Sequence, residues 1–172
     1  MRLFIAIELP EWIRERVFAL EKELPKGGIN PVAKENLHIT IKFIGEKEDA
    51  SETIAALEKI ENEQIEIDVK GVGAFPSMDY INVIWVGAKG ELEPLVRKIE
   101  NALNIKKERF DGHITIARVR KRIEAKEFFK KHENEDFGKF TAKSFALYKS
   151  TLTPRGPAYE RLKEFELRGG VE

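Results

Sequence analysis

Leu37-His38-Ile39-Thr40-Ile41 is the stretch around which the rest of the chain is organised, because it occurs twice. The second copy is Gly112-His113-Ile114-Thr115-Ile116. The 172-residue chain has three histidines, and two of them stand in the same setting, His-Ile-Thr-Ile. This repetition predicts that the two copies contribute to one functional site.

Each copy has the pattern of a strand with one buried face. Neighbouring side chains in a strand point to opposite faces, so His38 and Thr40 share one face and Ile39 and Ile41 share the other. The second copy repeats this arrangement. Each motif therefore buries two isoleucines and presents an imidazole and a hydroxyl about 7 Å apart along the strand.

Two imidazoles and two hydroxyls facing a shared cleft suit the cleavage of a phosphodiester without a metal. Imidazole titrates at about pH 6.5, so one neutral and one protonated histidine can coexist around neutral pH. We expect His38 and His113 to divide the roles of general acid and general base. Thr40 and Thr115 are candidates to donate hydrogen bonds to the phosphate oxygens.

Strands and helices alternate along both halves of the sequence. The first half predicts a strand at 3–8, a helix from Pro10 that ends at 25–28, the motif strand 37–44, a helix that begins at Asp49 with Glu52 in a capping box, and a strand at 64–70 interrupted at 71–76. The second half predicts a strand at 80–87, a helix at 92–103, the motif strand 113–119, a helix with apolar positions 123, 128 and 129, and strands at 140–152 and 159–167.

The repeated order strand, helix, motif strand, helix, strand predicts an α+β fold made of a duplicated unit. We expect one bilobal domain over 1–172, with pseudo-repeats at about 1–76 and 77–172 that exchange strands. A pseudo-twofold axis would relate mainly antiparallel sheets that line a central groove, with the helices outside. A doubly wound parallel sheet ranks second, because no glycine-rich phosphate loop follows the first strand.

Composition narrows the class of protein further. Lys+Arg and Asp+Glu are balanced at 30 each, so RNA binding would need a local basic patch. The chain has no cysteine, which excludes disulfides and thiolate sites. The apolar N-terminal stretch is too short for a signal peptide or a membrane span, so we expect a cytoplasmic protein without a membrane segment. Abundant Glu, Lys and Ile resemble thermophile usage.

Other hydrolytic sites fit the sequence less well. Two histidines could bind a metal, but no carboxylate stands at ligand spacing beside either one. A serine hydrolase is disfavoured because the sequence contains no Gly-x-Ser-x-Gly elbow. The third histidine, His132, follows two lysines at the charged end of a helix and is expected at the surface.

The doubled motif and its flanks resemble the 2H phosphoesterase superfamily, and within it the RNA 2′,3′-cyclic phosphodiesterases, also called 2′-5′ RNA ligases. The likeness spans nearly the whole chain. The stretches that carry it are Arg2-Leu3-Phe4-Ile5-Ala6-Ile7, Asn36 to Gly45, Gly112 to Arg118, Ser150-Thr151-Leu152 and Gly156-Pro157-Ala158-Tyr159.

The resemblance implies hydrolysis of a 2′,3′-cyclic phosphate at an RNA 3′ end to a 2′-phosphomonoester, without metal or cofactor, and reverse 2′-5′ ligation as a further activity. It implies that His38 protonates the leaving 3′ oxygen and that His113 activates water. The partner would be RNA with a cyclic phosphate end, such as a tRNA fragment, and the protein a monomer. An RNA-end-binding module with little hydrolysis, and a 2H enzyme for a small cyclic nucleotide, are the alternatives.

Two basic residues are candidates for the phosphate. The resemblance points to Arg118, but strict alternation places Arg118 on the isoleucine face. It reaches the phosphate only if the strand bulges or twists after Ile116. Lys42 shares the face of His38 by alternation and is the second candidate. Candidate RNA contacts are Phe43, Phe75, Tyr148, Lys149 and Arg155.

Overall fold

The computed structural model of the chain describes residues 1–169. Its first half contains β1 (Arg2–Glu8), α1 (Glu11–Leu20), β2 (Ile29–Pro31), β3 (His38–Glu46), α2 (Ser51–Leu57) and β4 (Ile65–Pro76). Its second half contains β5 (Ile81–Lys89), α3 (Glu93–Leu103), β6 (His113–Val119), α4 (Lys126–His132), β7 (Asp136–Ala142), β8 (Ser144–Thr153) and β9 (Gly156–Glu166).

The strands form one curled sheet in the order β7-β4-β5-β6-β3-β1-β8-β9, and β2 pairs with β6. Every pairing between these named strands is antiparallel. The predicted α+β class is therefore confirmed, and a doubly wound parallel sheet is excluded. The strands join into a single sheet, with the two motif strands as neighbours at its centre.

The strand order is symmetric about the contact between β3 and β6. Moving outward on the two sides, β1 corresponds to β5, β8 to β4 and β9 to β7. We call β3, β1, β8 and β9 the first arm and β6, β5, β4 and β7 the second arm. Strand β4 precedes residue 77 but pairs with β5 and β7 of the second arm. The division into repeats at about residue 76 stays a prediction.

One face of the sheet packs against the helices. Ile39 and Ile114 are fully buried there, in a core that also contains Ile13 of α1 and Leu95 of α3. A second, smaller apolar cluster is made by Phe4, Ala6, Ala146 and Tyr148 of the first arm. Within residues 1–169, no helix has the length and apolar character needed to cross a bilayer.

Two strand predictions differ from the structure. Strand β4 continues through the glycine-containing segment predicted to interrupt it, because Gly71 adopts φ +80° at a register shift between Val69 and Val72. This bulge lets the ladder resume beyond it. The strand predicted at 140–152 is two strands that meet at Lys143 and belong to different arms, since β7 pairs with β4 and β8 with β1.

Two polar residues also lie differently from expectation. Asp49 does not cap α2 as predicted. Ala50 occupies the N-cap position, and the Asp49 carboxylate accepts a hydrogen bond of 2.8 Å from the Ser51 amide. His132, predicted at the surface, is only 3% exposed. Its ring packs against Phe128 and hydrogen-bonds Glu135, since the last turn of α4 faces inward.

Candidate active site

His38 stands at the first position of β3 and is held at both ring nitrogens. Its Nδ1–H donates to the carbonyl oxygen of Asn36 at 2.5 Å, and its Nε2 lies 2.8 Å from Thr40 Oγ1. A carbonyl oxygen can only accept, so the Nδ1 of His38 carries a proton. Nε2 is therefore the nitrogen that remains to exchange protons beside Thr40.

His113 has the same orientation at the first position of β6. Its Nδ1–H donates to the carbonyl oxygen of Asp111 at 2.8 Å. In both motifs, the residue two positions before the histidine holds Nδ1 through its backbone. Nε2 is thus the nitrogen of both rings that is free of the backbone.

The antiparallel contact between β3 and β6 brings the two motifs together. Ile39 pairs with Ile114 across the strands. Extending this register by one residue in each direction places His38 opposite Thr115 and Thr40 opposite His113. The four side chains share the face opposite the isoleucine core, so each histidine faces the threonine of the other motif.

Both motif strands contain a bulge at the same place. In β6, Thr115 pairs with Trp85 and Ala117 with Ile84, which leaves Ile116 as the extra residue. The bulge reverses the alternation beyond it, which is the condition under which Arg118 was expected to leave the isoleucine face. Arg118 is exposed, whereas Ala117 is fully buried.

The equivalent bulge in β3 overturns the expectation for Lys42. Thr40 pairs with Ala6 and Lys42 with Ile5, so Ile41 is the extra residue and Lys42 turns into the core. Lys42 is 8% exposed, and its ammonium donates to Glu100 Oε2 at 2.7 Å. It is therefore not a candidate phosphate ligand in this structure. The residue that returns to the groove face is Phe43, which is 66% exposed.

Aromatic rings surround the two histidines unequally. The His38 ring lies 5.3 Å from the Phe4 centroid and 5.4 Å from the Tyr159 centroid, the latter in an edge-on arrangement. The His113 ring lies 4.9 Å from Phe75, also edge-on. Tyr148, one of the candidate RNA contacts, is buried in a stack with Phe4 at 5.3 Å.

The surroundings of His38 favour its neutral form. Burial lowers the pKa of His38 below its ordinary value of 6.5, against the opposing effect of the hydrogen bond to Asn36. The positive charges of Arg14 and Arg118, and that of His113 when it is protonated, lower this pKa further. The charge of Arg118 thus acts on a ring of the other arm, consistent with its return to the groove face.

Sequence reasoning missed three residues at this site. Asn36 and Asp111 contribute backbone carbonyls, which residue type does not reveal. Their equal offset from the two histidines was the available signal. Tyr159 lies far from either motif in the chain, and the pairing of β9 with β8 and of β8 with β1 brings it to His38. Within residues 1–169, no group of three or more His, Cys, Asp or Glu side chains could hold a metal.

The sequence matches the family model described as LigT like Phosphoesterase twice, at residues 7–85 and 86–159. The chain belongs to the LigT-like phosphoesterase family. The resemblance to the 2H phosphoesterases is thereby confirmed. The protein is an enzyme, a hydrolase of phosphodiester bonds.

Curated relatives support this assignment over nearly the full chain. The "RNA 2′,3′-cyclic phosphodiesterase" of Methanocaldococcus jannaschii is 42% identical and covers 96% of this chain and 100% of its own length. The protein of the same name from Archaeoglobus fulgidus is 37% identical at the same coverage. Another comes from the thermophile Thermus thermophilus, which agrees with the thermophile-like composition.

Solved structures share the fold. TT0787 of Thermus thermophilus superposes with a TM-score of 0.83 at 29% identity, covering 99% of this chain and 100% of that one. E. coli LigT in complex with phosphate superposes with a TM-score of 0.79 at 25% identity, covering 96% of each chain. The curled sheet is thus the family's architecture.

Proposed function

We propose that this phosphodiesterase opens the 2′,3′-cyclic phosphate at the 3′ end of an RNA and leaves a 2′-phosphomonoester. The observation that carries the proposal is the pairing of the motifs across β3 and β6. It sets two histidines, each with Nε2 free of the backbone, beside two threonine hydroxyls on one face. Relatives at up to 42% identity bear the corresponding name.

The reaction needs one proton acceptor and one proton donor on opposite sides of the phosphorus. A water oxygen forms the new bond to phosphorus while its proton passes to the Nε2 of the base. The bond from phosphorus to O3′ breaks, and the Nε2–H of the acid protonates O3′. Exchange of one proton with solvent then restores both histidines.

Thr40, Thr115 and Arg118 are proposed to bind the phosphate itself. A hydroxyl donor from each motif and a guanidinium beyond the second bulge can hold the non-bridging oxygens and stabilise the charge that develops on them. In the free site, the Thr40 hydroxyl donates to the neutral His38 Nε2 at 2.8 Å. A rotation about its side-chain torsion redirects that donor to the phosphate.

The division of labour between the histidines follows the family resemblance: His38 is proposed as the acid and His113 as the base. An acid must carry a proton when it acts, whereas burial lowers the pKa of His38 in the free site. The bound phosphate supplies a negative charge that favours the imidazolium form. Substrate binding is therefore what protonates His38 Nε2.

The rest of the RNA would contact the aromatic side chains of the groove. Phe43 is the exposed aromatic that the first bulge turns toward His38, with its ring 6.2 Å from Phe4. A base can stack on such a ring without sequence preference. A 5′-hydroxyl in place of water would give a 2′-5′ linkage by the same proton transfers. The monomeric state, cytoplasmic location and use of tRNA fragments stay predictions.

Turnover of a short oligoribonucleotide ending in a 2′,3′-cyclic phosphate, with chelator present, tests the proposal. We expect a 2′-phosphate product, and a rate lowered by about 10²–10⁴ in His38→Ala and in His113→Ala. His132→Ala is the matched control. Full turnover in either active-site variant would overturn the histidine mechanism. RNA binding without product would favour an RNA-end-binding module, and turnover of only mononucleotides would favour a small-nucleotide enzyme.

A further inference from the structure

The β8–β9 hairpin makes two contacts with the surroundings of His38. The Asn36 side-chain amide donates to the carbonyl oxygen of Pro157, near the start of β9, at 2.9 Å. Two residues further along, the Tyr159 ring meets the His38 ring edge-on, with an interplanar angle of 88°. Strand β8 pairs with β1 through residues 146–150, and Ser150 at the end of this ladder also pairs with Tyr159, so the first part of β9 lies beside the first motif.

Asn36 connects this hairpin to the imidazole. Its backbone carbonyl accepts the His38 Nδ1–H at 2.5 Å, while its side-chain amide donates to Pro157. A single residue thus fixes both the ring orientation of His38 and the position of the strand that covers it. Tyr159 is itself half-buried and packs edge-on against Phe4 at 4.9 Å, which fixes the side chain that contacts His38.

The second motif is built differently. Asp111 holds His113 through its backbone in the same way, but its side chain is exposed and makes no hydrogen bond within residues 1–169 to another strand. The aromatic neighbour of His113 is Phe75, from β4 of the same arm. Two motifs of identical sequence therefore have unequal surroundings.

We propose that Asn36 and Tyr159 are positioning residues for His38, and that the β8–β9 hairpin makes the two histidines unequal by covering one of them. The groups that face His38 come from five elements. They are Arg14 of α1, His113 and Arg118 of β6, Tyr159 of β9, Thr40 of β3, and Glu8 of β1, which pairs with His38. The Tyr159 ring shields His38 from water without placing a charge beside it. The effect of this inequality between the two histidines on catalysis rests on the proposed function.

Loss of this cover should be visible in the titration of His38 itself. Burial lowers the pKa of His38 in the intact protein. In Tyr159→Leu, we expect the NMR-detected pKa of the His38 ring to rise toward 6.5 because water reaches it. The ring signals of His132 in α4 are the internal reference for effects that are not local to His38. Tyr159→Phe should keep the wild-type titration of His38, because the contact is between the two rings and phenylalanine retains the ring.

Kinetics of the same variants test the positioning role. We expect Tyr159→Leu and Asn36→Ala to lower kcat by about tenfold to a hundredfold with little change in KM, because a misplaced imidazole loses rate without losing substrate contacts. The pH–rate limb that belongs to His38 should move upward in both. Glu160→Gln, an exposed change on the same strand, is the matched control.

An unchanged His38 titration in folded Tyr159→Leu, or an equal shift of His113, would overturn the proposal. So would equal loss of kcat in Tyr159→Leu and Tyr159→Phe. The titration needs no turnover, so it distinguishes a failure of this inference from a failure of the proposed function. If the wild-type protein hydrolyses no cyclic phosphate, the NMR result still decides whether the hairpin controls His38.

Discussion

The ammonium of Lys42 lies 2.7 Å from Glu100 Oε2, in a part of the core where the two side chains are 8% and 0% exposed. Lys42 also donates to the carbonyl oxygen of Lys106 at 2.9 Å, and the amide of Glu108 donates to Glu100 at 3.1 Å. Arg97 donates to the second carboxylate oxygen. This ion pair ties the first motif strand to α3 and to the segment that leads to the second motif.

Removing one partner of this pair should destabilise the protein strongly. Lys42→Met leaves the Glu100 carboxylate buried without its main partner, and breaking a buried pair in this way typically costs about 3–5 kcal/mol. The free energy of unfolding in urea measures the loss. The double variant Lys42→Met with Glu100→Met should lose less than the single variant. A single variant within about 1 kcal/mol of wild type would contradict this account.

Stability should also depend on pH through Glu100. Although desolvation raises its pKa, hydrogen bonds from Lys42 and Arg97 bring the pKa of Glu100 from 4.5 down to about 2. Between these values the unfolded chain binds more protons, so stability rises with pH in that window. The contribution is complete above pH 4.5 and disappears as the pH falls toward 2. Glu100→Gln should flatten this part of a urea-midpoint profile, whereas Glu166→Gln, an exposed change, should not.

Arg118 should contribute to catalysis through its charge and its shape. We expect Arg118→Ala to lower kcat/KM by about 10² for a cyclic-phosphate oligoribonucleotide, the typical loss on removing a donor to a developing oxyanion. Arg118→Lys should recover part of the rate, because an ammonium keeps the charge but lacks the two-pronged geometry. Arg122→Ala, an exposed arginine beyond the strand, should behave as wild type. Wild-type kinetics in Arg118→Ala would remove Arg118 from the site.

Phe43 should matter for the base rather than for the phosphate. Phe43→Ala should raise KM for a cyclic-phosphate dinucleotide by about tenfold, since stacking of a base on an aromatic ring contributes about 1–3 kcal/mol. A ribose 2′,3′-cyclic phosphate that lacks a base should show no change between the two proteins. Tyr80→Ala, an exposed aromatic in the turn between β4 and β5, is the control. Equal effects on both substrates would show that Phe43 acts on the groove shape instead.

Much of this fold follows from local periodicity. The alternation of apolar residues placed both motif strands, and the repeated order of elements indicated a duplicated α+β unit. Both inferences hold because each depends on which face of a segment is buried. The edge strand β2 was missed, since three residues that include Pro31 carry too little pattern to indicate a strand.

The side-chain assignments failed where neighbouring strands decide the geometry. Alternation placed Lys42 in the groove and Arg118 in the core, and the structure reverses both. The cause is one extra residue in each motif strand, at Ile41 and Ile116. Such a bulge depends on the register of β1 and β5, which no pattern within the motif specifies. For Arg118 the family resemblance pointed to the right face because it does not rely on alternation.

The two bulges also determine which positions of the motif strands are suitable for protein engineering. Positions 43 and 118 follow the bulges and reach the groove, so they are the places at which a library could alter substrate preference. Positions 42 and 117 are one residue earlier and are buried in the core, where variation would cost folded yield. Counting alternate residues from the histidines would select positions 42 and 117 instead, and most variants in such a library would fold poorly because both positions are buried.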